Sequence, residues 1–465
     1  MDRKKELFKN TFIILLGKGC TQFLSFFLLP LYTSVLLKDD FGIVDLLNTY
    51  ISLLVPIITL QLENAGFRYL VDCRENFKQK SVVITNLILA VIIQILLSFI
   101  LFFIIGLYIN INYQYYLAFC TIATIFSNLS LQITRGIGKN FDYAVASIIT
   151  AISTLILNVF FLLVLKMGPR GLFLSTILSN LICCIYLVIK NKIYNNFRIK
   201  YYDKKEIFKL LQYSIPLVPN GVIWWIINAA DRSIISLFLG NSINGLYAVA
   251  NKFSNILISV YNVFNIAWTE FISIHINDKE NYKFLSELVN DLIKFFSFAC
   301  LGVISIMPFI FKYLVDVNYE ASYNYIPLLI VSTIFNIMAA LFGSFYIAKK
   351  ETKKIAKTSL SSGIINVVIN IIFVKYIGVY ASILSSIIAF LIMSIWRYID
   401  IQKYIRLKLE LKPIILLVIL YVFTIVTYYS NNMFINTLTL ITNLIFAIVI
   451  NSKFIKSFHI IFNKQ

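Results

Sequence analysis

Charge is scarce in this chain. Only 14% of its 465 residues are Asp, Glu, Lys or Arg, against 59% hydrophobic residues. Soluble domains carry about 25% charged residues, so a water-soluble globular fold is excluded, and a mean hydropathy of +0.83 agrees. Histidine is nearly missing: His275 and His459 stand alone, in or beside loops, which leaves no material for a histidine-based metal site. The six cysteines, Cys20, Cys73, Cys120, Cys183, Cys184 and Cys300, show no C-x-x-C spacing. All but Cys73 fall within apolar stretches, where cysteine acts as a small hydrophobe rather than a disulfide or metal ligand. No G-x-x-x-x-G-K-S/T loop occurs, so ATP hydrolysis is not expected, nor is any cofactor. A net charge of +19 would suit a nucleic-acid binder. Here the cations sit in short tethers between apolar blocks, not on one basic domain, and nucleic acid drops out as a partner.

What is present is a series of apolar blocks, each long enough to cross a bilayer, which takes about 20 residues. They place spans at approximately 11–37, 42–63, 81–107, 115–134, 143–166 and 171–190. After a polar tether, further spans fall at 211–239, 245–270, 291–315, 324–348, 359–376, 379–400, 413–429 and 433–451. The basic start, Met1 to Lys5, resembles the head of a signal peptide. The apolar run behind it reaches about Leu37, well beyond the 7–15 residues of a cleaved signal, so it reads as an uncleaved first span. The fold expected is all-α and integral to the membrane, with about 14 transmembrane helices.

Loop charge tests that count. With the N-terminus in the cytoplasm, roughly 33 Lys and Arg fall in inner segments and about 5 in outer ones. One missed helix would scramble this alternation, so both termini are placed inside by the positive-inside rule. The chain also echoes itself at an offset of about 200 residues. The Leu36 to Gly42 junction resembles Leu237 to Gly245, and Asn158 with Gly171-Leu172 and Ser175 resembles Asn370 with Gly378-Val379 and Ser382. Two pseudo-symmetric six-helix lobes are therefore expected, related by an axis along the membrane normal. They cover residues 1–200 and 201–405, with a terminal helix pair in 406–465.

Charges inside spans are costly unless they face a watery cavity or a partner. Three cations qualify: Lys18 in the first span, Arg232 in the seventh and Lys252 in the eighth. At ~1.5 Å rise per residue each lies ~12 Å from the nearer membrane edge. Asp45 and Glu63 on the second span, Asp231 on the seventh and Glu270 on the eighth are candidates for ion coupling or for pairing with those cations. All seven fall on the first two spans of each repeat. Pro30 within the first span is the best hinge candidate, because proline removes a backbone donor. Pro56 lies inside the second span, and Pro216 and Pro219 open the seventh. Trp224, Trp225, Tyr261 and Trp268 are expected to pack against lipid or against a bound substrate.

Several short stretches carry a family resemblance: Lys9-Asn10-Thr11 leading into Gly17-Lys18-Gly19, then Pro30-Leu31-Tyr32-Thr33, Asp40-Phe41-Gly42 and Ser214-Ile215-Pro216-Leu217. With the helix count and charge placement, they make the chain resemble the Wzx-type polysaccharide and O-antigen flippases. These belong to the multidrug/oligosaccharidyl-lipid/polysaccharide exporter (MOP) superfamily. The resemblance implies a transporter of the bacterial cytoplasmic membrane rather than an enzyme. It would move undecaprenyl-diphosphate-linked oligosaccharide from the inner to the outer leaflet by alternating access, for O-antigen or capsule assembly. It also implies a cationic cavity holding the diphosphate, a role placed on Lys18, Arg232 and Lys252. Implied partners are the lipid-linked oligosaccharide, membrane lipids, and a polysaccharide polymerase with its chain-length machinery. A multidrug or cation antiporter of the same superfamily is the nearest rival. A membrane-embedded polymerase fits worse, because the outer loops are too short to carry a catalytic domain.

Overall fold

The computed structural model describes residues 26–108, 112–276, 282–349 and 351–462, in which every regular element is helical. Lys18 and most of the first expected span lie outside the described residues. Among the described residues, twelve helices are long and apolar enough to cross a membrane. They correspond one for one to the second through sixth and eighth through fourteenth expected spans. The seventh is the helix Val218–Leu239, and the first ends in Leu29–Val35. The helices fall into two compact units that divide between Arg232 and Ser233.

The first unit contains α1 (Leu29–Val35), α2 (Lys38–Ile58), α3 (Leu62–Asp72), α4 (Phe77–Tyr108) and α5 (Gln114–Gly136). After these come α6 (Asn140–Val159), α7 (Pro169–Lys190), α8 (Lys204–Ser214) and the start of α9 (Val218–Leu239). Helix α5 sits centrally, packed on α3 and α7. Its buried face mixes Ala118, Ala123 and Ile125 with Thr121, Ser127, Ser130 and Thr134. Small side chains let helices approach closely in a medium that supplies no hydrophobic drive between them. The hydroxyls bond back to their own helix, Thr121 to the Leu117 carbonyl at 2.7 Å and Thr134 to that of Ser130 at 2.8 Å. By contrast, α4 turns Ile93, Leu96, Leu97, Ile100 and Phe103 outward, the inverse of a soluble helix and the pattern a lipid-facing surface requires. The division falls within α9, which is bonded to α2 as described below.

The second unit holds α10 (Asn241–His275), α11 (Tyr282–Leu314), α12 (Ile326–Ala348), α13 (Thr352–Ile377), α14 (Val379–Ile401), α15 (Leu411–Tyr429) and α16 (Met433–Phe462). Helix α12 packs against α10 and α14. The terminal pair α15 and α16 packs on α11, where Asn443 donates to Ser305 Oγ at 2.7 Å and Thr424 Oγ1 at 2.9 Å. Arg397 of α14, only 3% exposed, pins three helices together. It donates to Thr358 Oγ1 at 3.0 Å and Ser359 Oγ at 2.9 Å on α13, and to the Ala339 carbonyl of α12 at 2.8 Å. A Cβ at Gly343 would lie 2.8 Å from the Arg397 guanidinium; glycine there makes room for it.

Certain local devices occur once in each unit. On α4, Asn86 Nδ2 donates to the Tyr201 carbonyl at 2.9 Å, and its Oδ1 accepts from the Asp203 N–H at 2.8 Å. On α11, Asn290 Nδ2 donates to the Lys408 carbonyl at 2.8 Å, and its Oδ1 accepts from the Glu410 N–H at 2.9 Å. Each amide thus clasps an extended segment in the same two-residue register. The glycines Gly168 (φ 57, ψ −137) and Gly378 (φ 59, ψ −137) open α7 and α14 in one conformation that residues with a side chain rarely adopt. The backbone equivalent of Gly378 is therefore Gly168, one turn before the Gly171 suggested by sequence. Replacing Asn86 or Asn290 by alanine removes two part-buried hydrogen bonds to the clasped segment, each worth about 0.5–1.5 kcal/mol. Thermal unfolding in detergent should show both losses, and amide exchange should speed up locally at 201–203 or 408–410.

Candidate functional site

Three polar contacts tie α9 to α2 and to the break that follows it, all within the first unit. Near the start of α2, Asp45 accepts from Arg232 Nε at 2.7 Å, with the two side chains 15% and 12% exposed. One turn further along α2, the Trp225 indole N–H donates to the Thr49 carbonyl at 2.8 Å, and the Trp225 ring lies 6.4 Å from that of Tyr50. Past the end of α2, Gln61 Nε2 donates to the Leu217 carbonyl at 3.2 Å. The contacts advance along α2 while they retreat along α9, as antiparallel helices demand. From Leu217 to Arg232 the row spans ~22 Å at helical rise. Gly221 contributes by lacking a side chain, since a Cβ there would meet the Gln61 amide at 2.6 Å.

The second expected span is not one helix. Pro56 has no N–H to give the Ser52 carbonyl, and α2 stops two residues later at Ile58. Leu60 (φ 47) and Gln61 (φ 57) then take left-handed backbone conformations, each costing about 1–2 kcal/mol for a residue with a side chain. The chain restarts as α3, with Glu63 in its first turn. Hydrogen bonds hold the break: Thr59 Oγ1 receives the Gln61 N–H at 3.2 Å, and Asn64 donates to Gln61 Oε1 at 2.7 Å. Glu63 Oε2 is buried without a hydrogen-bond partner among the described residues. Glu63 thus lies just past the C-terminal end of α2. In discontinuous membrane helices it is such C-terminal ends and unwound carbonyls that hold small cations, whereas the N-terminal end of α3 favours the carboxylate itself.

Residues 7–269 match the polysaccharide biosynthesis protein family. The chain belongs to that family. No curated protein matches its sequence, but solved structures do share its fold. A lipid II flippase, MurJ, in an inward closed conformation aligns with a TM-score of 0.66 at 16% identity, covering 97% of this chain and 98% of that one. An outward-facing multidrug resistance MATE family transporter of the MOP superfamily aligns at 0.59 and 15% identity, covering 87% and 97%. A MATE protein in complex with MaL6 aligns at 0.55 and 13% identity, with the same coverage. This member of the polysaccharide biosynthesis family is thus a multi-pass membrane protein that shares its fold with those structures.

Of the residues singled out by sequence in this family member, the structure joins Asp45 to Arg232. Asp231 is buried at 5% exposure, and Glu63 lies just beyond the α2 break. In the second unit, Lys252 is half-buried on α10, and Glu270 is exposed near that helix's end. Pro30 stands in the first turn of α1, immediately after a one-residue interruption of the helix at Leu28. Among the aromatics, Tyr261 and Trp268 are each 2% exposed, so they pack against protein rather than lipid. Tyr261 bonds Asn265, and the Trp268 indole N–H donates to the Leu341 carbonyl at 3.2 Å. No group of three metal-ligating side chains occurs among the described residues. Nothing in the sequence pattern singled out Gln61, Asn86, Asn290 or Arg397. Gln61 and Asn86 are amides inside apolar blocks and Arg397 a cation inside one, which is the signal they carry, while Asn290 stands just outside the 291–315 block.

An ion pair this enclosed makes each partner costly to remove alone, because the survivor loses a charge-assisted hydrogen bond worth about 1.5–3 kcal/mol. Asp45→Leu and Arg232→Met should each lower the unfolding temperature in detergent, and the double variant should recover most of the loss. A simply additive double variant would show that the pair is not coupled.

Proposed function

We propose that this chain is a flippase. It carries undecaprenyl-diphosphate-linked oligosaccharide from the inner to the outer leaflet for O-antigen or capsule assembly, by alternating access. The reading rests on the contacts between α2 and α9: an ion pair and a broken helix placed within membrane-length helices of a polysaccharide biosynthesis family member. Such features are expensive in hydrocarbon, and substrate movement is what commonly justifies them. The likeness to a lipid II flippase adds support at the level of fold.

In this reading Lys18, Arg232 and Lys252 meet the diphosphate. Arg232 is held by the Asp45 carboxylate until the substrate arrives and then exchanges one oxyanion for another. Charge-assisted N–H···O bonds replace each other in that exchange, so the guanidinium is never left bare. Asp45, Glu63, Asp231 and Glu270 are the candidates for ion coupling. Pro30 and the α2 break are the places where helices flex. Residues 1–200 and 201–405 form two repeated lobes and 406–465 a terminal pair, an organisation supported by the recurrent asparagine clasps and glycine caps. A polysaccharide polymerase and its chain-length machinery are the partners that would consume the product.

The test is translocation of a fluorescent undecaprenyl-diphosphate oligosaccharide in proteoliposomes. Losing one charge-assisted contact, about 1.5–3 kcal/mol, should slow flipping by about tenfold or more in Lys252→Ala and Arg232→Ala, while Lys252→Arg keeps most of the rate. Unchanged flipping in both alanine variants removes the site assignment. Export of a cationic dye with no glycolipid movement establishes the multidrug antiporter instead, a reading favoured by the carboxylates Asp45 and Glu63 and by the shared fold with a MATE transporter.

A further inference from the structure

The connector between α7 and α9 has features that transport does not require. Residues 190–209 contain seven Lys and Arg against two acids, Asp203 and Glu206, a net charge of +5. All seven cations are exposed. So are large apolar side chains in their midst: Ile199 is 73% exposed, Phe208 68% and Tyr202 55%. On a soluble surface that combination is unfavourable.

The position of the connector resolves the conflict. Its backbone is bonded to side chains well inside α4. Thr85 Oγ1 donates to the Asn196 carbonyl at 3.3 Å and accepts from the Arg198 N–H at 3.0 Å, and Asn86 clasps Tyr201 and Asp203. Helix α4 starts at Phe77, so Asn86 lies ~13 Å along it, among Val82, Val83 and Ile84. A strand of chain fixed at that level of a membrane-spanning helix rests at the boundary between headgroups and acyl chains. Helix α8 continues the pattern. Ile207, Leu210, Leu211 and Ser214 turn toward protein at helical spacing, while Phe208 points away between Lys204, Lys205 and Lys209.

The second clasp holds residues 408–410 in the same register. There the counterpart of Ile199 is Arg406, which is exposed, and that of Tyr202 is Leu409, which is half-buried. Position 199 therefore faces outward in both connectors, and only the first fills it with a large apolar side chain. We propose that the 190–214 connector is an in-plane docking surface for anionic phospholipid headgroups of the cytoplasmic leaflet. Ile199, Tyr202 and Phe208 enter the acyl boundary, and Arg198, Lys200, Lys204 and Lys205 sit on the phosphates. Apolar insertion combined with basic residues is the two-signal anchoring that gives selective binding to anionic membranes.

The experiment attaches an environment-sensitive fluorophore at Ile199→Cys in the full-length protein, reconstituted in phosphatidylcholine vesicles with or without phosphatidylglycerol. Co-purifying lipid is measured in parallel by native mass spectrometry. Phosphatidylglycerol should shift the emission to the blue and should be retained over phosphatidylcholine. The triple variant Lys200→Gln/Lys204→Gln/Lys205→Gln touches only exposed side chains. It should lower that preference by at least about tenfold, each lysine near an anionic surface being worth about fivefold. The proposal is overturned if the probe at position 199 reports water in both membranes, or if the triple variant retains the same lipids as the parent. Neither result bears on glycolipid flipping, which the Lys252 variants test separately.

Discussion

Hydrocarbon offers a polar group nothing to bond with, and the consequences of that rule run through the whole protein. Hydroxyls on α5 turn back to their own helix. Arg397 finds two hydroxyls and a carbonyl, and Asn443 finds two hydroxyls. The Arg232 guanidinium sits against the Asp45 carboxylate. Each such group, once satisfied, fixes the relation of the helices that satisfy it. In water such contacts are marginal; inside a bilayer they do the specifying, since apolar packing alone cannot tell one helix face from another.

The break between α2 and α3 works against that rule and is held in place by it. Interrupting a helix frees backbone groups, and two left-handed residues add strain. The cost is tolerable because Thr59, Gln61 and Asn64 bond one another and Gln61 reaches the Leu217 carbonyl on the other side of Gly221. A backbone that is strained and locally over-determined has few ways to move. The carboxylate of Glu63 lies one residue into α3, directly beside that break.

The two asparagine clasps show one device put to two uses. In the second unit the segment leading into the clasp buries Ile405 and Leu407 in protein and turns Arg406 outward. In the first unit the same register leaves apolar residues facing outward among exposed cations. The clasp recurs in both units, while the outward apolar pair Ile199 and Tyr202 belongs to the first connector.

Sequence by itself determined the all-helical membrane class, the approximate number of spans, the expected sidedness and the existence of charge within spans, because each follows from composition summed over 20-residue windows and from loop charge, which no tertiary contact can alter. It also located Asp45 and Arg232 as residues needing a reason. Only the tertiary structure decided that those two bond each other, that the second span is broken after Pro56, and that Arg397 is an internal clamp. It alone showed that Tyr261 and Trp268 pack against protein. Residues such as Gln61 and Leu217 lie 156 positions apart, and one apolar face of a membrane helix reads like another. Partner choice is therefore a property of three-dimensional packing that local sequence does not record.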